Sequence, residues 1–436
     1  MSINIEESFN NEIINNKSKR IASIDYVKGF AIIWIILAHG GLSWFDSDWY
    51  YVYGLVFAFM DVLGPSLFVF LSALSVIFSA RRKKGQLPEK VIRNGILMRG
   101  LVIIIIGILM NPISLMTVDP NLNVSFPANL WGWNILMFIG FSQIFSYYAL
   151  KFSKITRAVI GAIIIYFSPW IRDVLYAFKD TNGVIYVLHF IITSPLPQVP
   201  ILPNLAICFI STIFGEFLYE AMIKGTKESY YKLFRIFMYS GIILVLTGIF
   251  IIIPRGASFE IWETGLARLK PGNITSPGFI VESEYLHIQL LSIANMQNYV
   301  QFAGMPLYMI RASAHNMFYN LGIGFILIAI CFYIIDIKNK RNDAIKFVIF
   351  YGKTSLSLFL IQYLFLPLYS GQFSIIFYPI VWVGYCGFLG LLMYIWLKFF
   401  NGVGTPEWIM SKIGSGGKKR EILEKDFIKK VKIKIQ

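Results

Sequence analysis

At 436 residues, 56% hydrophobic and only 14% charged, with a mean hydropathy of +0.64, the chain falls outside the soluble globular and disordered classes. A soluble fold of this length could not bury so many long apolar runs. The net charge of +15 would point to nucleic acid in a soluble protein, but among apolar runs it reads as the bias that orients membrane helices, so nucleic acid is not an expected partner. Cys208, Cys331 and Cys386 all sit inside apolar runs without metal-like spacing, so neither a disulfide framework nor a metal is expected.

Apolar runs of about 20 residues predict an all-α, polytopic integral membrane bundle of about ten transmembrane helices. The runs lie near 25–44, 54–80, 96–113, 131–150, 157–171, 202–223, 236–254, 314–335, 346–369 and 374–399. Their connections alternate in charge. Lys17 to Arg20, Arg81 to Arg99, Lys151 to Arg157, Lys224 to Arg235, Lys338 to Lys346 and the tail beyond Lys398 are basic, whereas loops 45–53, 112–130 and 370–373 hold no Lys or Arg. By the positive-inside rule both termini are expected in the cytoplasm. Residues 183–200 are apolar but short and broken by Pro, and read as a re-entrant or interfacial piece. The division follows: a cytoplasmic N-terminal segment (1–24), a membrane domain (25–400) with an extracytoplasmic loop at about 255–313, and a basic cytoplasmic tail (401–436). That loop is too long for a turn and reads as a lid or acceptor-binding cap. The tail reads either as solvated or as a helix lying on the anionic inner leaflet. No internal repeat of the transporter kind is evident, and a homo-oligomer is left open.

Two stretches carry candidate chemistry. Asp25, Lys28 and His39 fall on one face of the first predicted span. An ionisable group within a bilayer is costly unless it faces the bundle interior or a wet cavity, so this stripe should line a site. Asp61, Ser72, Ser75 and Ser79 are expected to form a matching face on the second span, with Asp61 at about the depth of His39 and within reach of it. A histidine of this kind can serve as a base or only hydrogen-bond a neighbouring helix. At the opposite end Arg82, Arg93 and Arg99 could hold phosphates, or simply obey the charge rule.

The stretch from Arg20, R-x-x-S-x-D-x-x-K-G-F-A, followed by an apolar run to His39, resembles the first span of the transmembrane acyltransferases. That group includes heparan-α-glucosaminide N-acetyltransferase and the O-acyltransferases of bacterial surface glycans. Further likenesses follow in order: Gly64 to Ala73, Asn94 to Gly107, Trp133 to Ser142 and Leu202 to Ala206, then weakly Tyr351 to Leu356 and Pro406 to Trp408. The resemblance implies His39 as catalytic base and acetyl-CoA or another acyl-CoA as donor; the matching depth of Asp61 makes it the residue expected to orient His39, and no metal is expected. It also implies a glycan or glycolipid acceptor; membrane lipids surround the bundle, and the basic inner face with Arg82, Arg93 and Arg99, together with Asp25 and Lys28 of the stripe, is the expected cofactor contact. Lys28 stands where the family usually has Arg, and Lys cannot make the planar two-pronged contact. In the heparan enzyme the catalytic His follows the first span, whereas here no His lies between His39 and His189. The rival reading is a transporter or lipid-linked-sugar flippase using the same groove, and a third is a sensor with a degenerate site.

Overall fold

The computed structural model describes residues 21–45, 56, 59–85, 87–118, 126–193, 201–251, 307–309, 314–369 and 371–412. The expected N-terminal segment up to residue 20, most of the 255–313 loop and the tail beyond 412 lie outside them. Regular structure among the described residues is helical. In chain order the helices are α1 (Ala22–Trp44), α2 (Pro65–Lys83), α3 (Glu89–Val118), α4 (Ile135–Ala149), α5 (Lys154–Phe178), α6 (Gly183–Thr193), α7 (Ile201–Lys224), α8 (Lys227–Phe250), α9 (Ala314–Phe332), α10 (Asp343–Lys353), α11 (Ser355–Phe365) and α12 (Tyr378–Phe400).

Among the described residues eight helices are long and apolar enough to cross a membrane, so the chain is a multi-pass membrane protein. Two expected spans take another form. The run 346–369 is not one rod, because α10 and α11 meet at a 78° bend. α4 has 15 residues, which at 1.5 Å per residue is about 22 Å, short of a hydrocarbon core of about 30 Å. The 183–200 segment gives the short α6, followed by residues outside the description. Trp170 on α5, Ile243 on α8 and Ile380 on α12 are exposed apolar side chains, the surface that helices offer to lipid.

The interior is aromatic at its centre, where Phe214 lies 4.1 Å from Phe325 and 5.1 Å from Phe237 between ring centroids. Small residues set the closest helix crossings, as expected where lipid gives no hydrophobic drive for helices to associate. Gly100 of α3 meets Gly140 of α4, Gly241 of α8 meets Gly322 of α9, and Gly29 of α1 meets Gly352 of α10. The last crossing fixes α1 against the C-terminal helices. The backbone N–H groups of Ala22 and Ser23 donate to the Asp336 carboxylate at 3.1 and 3.0 Å, an acidic cap at the positive end of α1. Glu407 does the same for α11, accepting from the Leu356 and Ser357 N–H groups at 3.0 Å and from the Ser357 hydroxyl. The start of α1 and the residues after α12 therefore share one end of the bundle.

Candidate active site

α1 runs unbroken past the whole polar stripe, so Asp25, Lys28 and His39 do share a face. Asp25 is buried, and Lys28 and His39 are half-buried. α10 and α11 accompany this helix upward in register. Gly352 lies against the Asp25 carbonyl, and the His39 ring lies 6.0 Å from Phe359 and 5.2 Å from Tyr363 between centroids. One turn further, Trp44 Nε1 and Ser43 Oγ both donate to the Leu366 carbonyl at 2.7 and 3.1 Å. His39 is thus held against aromatic rings at the end of α1 opposite Asp25.

Asp61 departs from expectation in its local structure. It opens a 3-10 turn, Asp61–Leu63, closed by Gly64 N–H donating to the Asp61 carbonyl at 2.9 Å, and the helix proper starts at Pro65. Proline at the first helical position lacks only an N–H that would be unsatisfied anyway. The helical spacing from Asp61 to Ser72, Ser75 and Ser79 is therefore interrupted, and Ser75 is exposed. The Asp61 side chain is nonetheless buried. It accepts from Asn320 Nδ2 at 2.9 Å, and the same amide donates to Asn316 Oδ1 at 3.0 Å. Its turn packs against both α1 and α9. The Asp61 turn thus contacts the helix that carries His39, with Asn320 donating to Asp61 and the α11 aromatics beside the imidazole.

At the other end the three arginines differ in exposure. Arg82 is exposed, while Arg93 and Arg99 are half-buried on α3. Six residues apart on one helix, Arg93 and Arg99 point about 120° away from each other, so they do not converge on one spot. The convergence lies elsewhere. Arg81 of α2 and Arg157 of α5 both contact the Glu216 carboxylate of α7, the latter through Nη2 at 2.6 Å, and Arg157 is 2% exposed. Two guanidiniums share one carboxylate, which ties three helices together at the basic end. Nearby, Lys154 pairs with Glu220 at 2.8 Å.

Glu216, Asn320, Asp336 and Gln362 were not singled out by sequence pattern, although each is a polar residue set within an apolar run. That is the signal a membrane sequence offers for an interior contact. Among the described residues no group of three or more His, Cys, Asp or Glu side chains could hold a metal ion.

The fold and the polar stripe define a multi-pass membrane protein that buries ionisable groups, Asp25, Asp61 and Glu216 among them, inside the bundle. Residues 20–247 match the family model for the catalytic domain of heparan-α-glucosaminide N-acetyltransferase, and the chain belongs to that family. Membership brings acetyltransferase-type activity in general, and it agrees with the resemblance read from the Arg20–His39 stretch. Comparison with individually curated proteins gives no match.

Proposed function

We propose that the chain moves an acyl group, acetyl first of all, from cytoplasmic acyl-CoA to a hydroxyl or amine of a glycan or glycolipid on the extracytoplasmic side. The supporting observation is His39, half-buried against Phe359 and Tyr363 on the helix that the Asp61 turn touches, in a chain whose first half matches an acetyltransferase family. His39 takes the acceptor's proton as its oxygen or nitrogen attacks the thioester carbon. The new acyl bond forms, the carbon–sulfur bond breaks, and the imidazolium returns the proton to the departing thiolate. In the two-step variant the imidazole carries the acyl group first. Asp61 is assigned to orient the imidazole. The phosphates of coenzyme A are assigned to the basic end, where Arg82, Arg93 and Arg99 would meet separate phosphates rather than a single one, and Asp25 and Lys28 are assigned to the path between. Lys28 acts there as a point charge. The cytoplasmic placement of that end rests on the Lys/Arg alternation.

The test is His39→Gln, assayed with labelled acetyl-CoA and glucosamine on purified protein in detergent. Gln keeps a hydrogen-bonding side chain but cannot act as a base near neutral pH. Loss of a general base costs about 10²- to 10⁴-fold in rate. Transfer should fall by that factor while the melting temperature stays close to wild type. Retention of more than about a tenth of the wild-type rate would refute the role.

A further inference from the structure

Gln362 is the most anomalous polar residue of the described interior. It is 0% exposed, yet neither Nε2 nor Oε1 of its side-chain amide has a hydrogen-bond partner. Buried amides are nearly always satisfied, because leaving both ends unmatched forfeits the hydrogen bonds water would have given. The position adds meaning to the anomaly. Gln362 follows Phe359 by one helical turn and adjoins Tyr363, and those two rings wall His39. Its backbone carbonyl is occupied, accepting from Tyr385 Oη at 2.8 Å, so only the side chain is unmatched.

We propose that the Gln362 amide recognises an amide of the pantetheine arm of acyl-CoA as the thioester is delivered to His39. The inference rests on the acyl-CoA reading above. Pantetheine is a narrow, largely apolar chain interrupted by two amides, each offering one N–H and one carbonyl. A primary amide presents both complements side by side, Oε1 to accept and Nε2 to donate. A sugar hydroxyl could also bond to it, but the apolar walls and complete burial favour the slender arm. That arm has to run from the basic end towards His39, and the eleven residues from Lys28 to His39 span about 16 Å of α1. α11 flanks the upper part of this course. It is a short helix anchored at its two ends, by Glu407 at its start and by Ser43 and Trp44 on Leu366 at its finish, and a 78° bend separates it from α10. An arm entering between α1 and α11 reaches the amide at its thioester end, at the depth of His39.

The experiment compares Gln362→Met and Gln362→Leu with wild type in three measurements on purified protein: melting temperature without ligand, affinity for coenzyme A, and affinity for adenosine 3′,5′-bisphosphate. The bisphosphate carries the nucleotide end without the arm. Removing an amide with no protein partner should leave the ligand-free melting temperature unchanged or raised. Coenzyme A affinity should fall about tenfold, the worth of a hydrogen bond or two, and bisphosphate affinity should stay as in wild type. Coenzyme A affinity equal to wild type would overturn the inference while leaving the acyl-CoA reading in place. A lowered melting temperature, or loss of folding in both variants, would mean that the amide serves the fold and would overturn it too. Absence of coenzyme A binding by wild type would overturn both readings together.

Discussion

The crossing of α1 and α10 should be the least tolerant point of the fold. A methyl group built on Gly29 would overlap the Val348 carbonyl oxygen and lie 2.8 Å from its carbon and 2.9 Å from the Gly352 nitrogen. The reciprocal methyl on Gly352 would overlap the Asp25 carbonyl oxygen, 2.7 Å from that carbon. Carbon atoms sit comfortably at about 3.5 Å or more, so the helices would have to part by at least about 0.7 Å. The obstacle is backbone on both sides and cannot rotate away. Overpacking of this kind costs about 1–3 kcal/mol, and rigid helices belong at the upper end. Ala gains about 1 kcal/mol over Gly in helix propensity, leaving a net loss of about 2 kcal/mol for Gly29→Ala. Gly384 on α12 supplies the control, since nothing lies within 4 Å of its added methyl. There the propensity gain stands alone, and Gly384→Ala should be more stable than wild type by up to about 1 kcal/mol. Denaturant unfolding in mixed micelles, followed by tryptophan fluorescence, should therefore separate the two variants by about 3 kcal/mol. Equal stabilities for Gly29→Ala and Gly384→Ala would refute the close crossing.

Three further variants probe the polar contacts. Glu216→Gln removes the carboxylate shared by Arg81 and Arg157 and should lower stability by about 3–5 kcal/mol. Glu216→Met with Arg157→Met should recover most of that loss, and a double variant no better than the single one would discredit the ion-pair account. Glu407→Ala uncaps α11 and should cost about 1–2 kcal/mol, with faster amide exchange at Leu356 and Ser357 as its local signature. Unchanged exchange there would show that the cap contributes nothing.

Apolar run length was enough to find the helices, because in lipid each backbone group must bond within its own segment. It was not enough to find their interruptions. The 346–369 run reads as one span since its apolar residues continue on both sides of the short polar stretch Lys353 to Ser355, but α11 restarts at Ser355 under the distant Glu407 carboxylate. Asp61 shows the reverse case. The Gly64-Pro65 pair was a local signal for a helix starting at Pro65, and counting Asp61 into the helical stripe overlooked it. In the candidate site the stripe on α1 was legible from periodicity alone. Asn320 and the α11 aromatics were not, because no local pattern records which distant helix a side chain will meet.

The family match ends at residue 247, but the surroundings of its most telling helix do not. α1 is capped by Asp336, crosses Gly352, rests His39 on Phe359 and Tyr363, and is pinned through Trp44 to Leu366. Asp61 likewise takes its hydrogen bond from Asn320. Each of these partners lies beyond the matched region. The N-terminal half supplies the stripe on which the proposed chemistry depends, and the C-terminal half supplies its walls, its depth and its tilt. A base is useful only when its nitrogen is held within hydrogen-bond reach of the proton it removes, and a misplacement of 1 Å can cost about 10²-fold. The geometry that would turn His39 from a buried polar residue into a base is therefore set by helices outside the matched region. Differences in α9 to α12 between family members are where differences in acceptor or acyl chain should be sought.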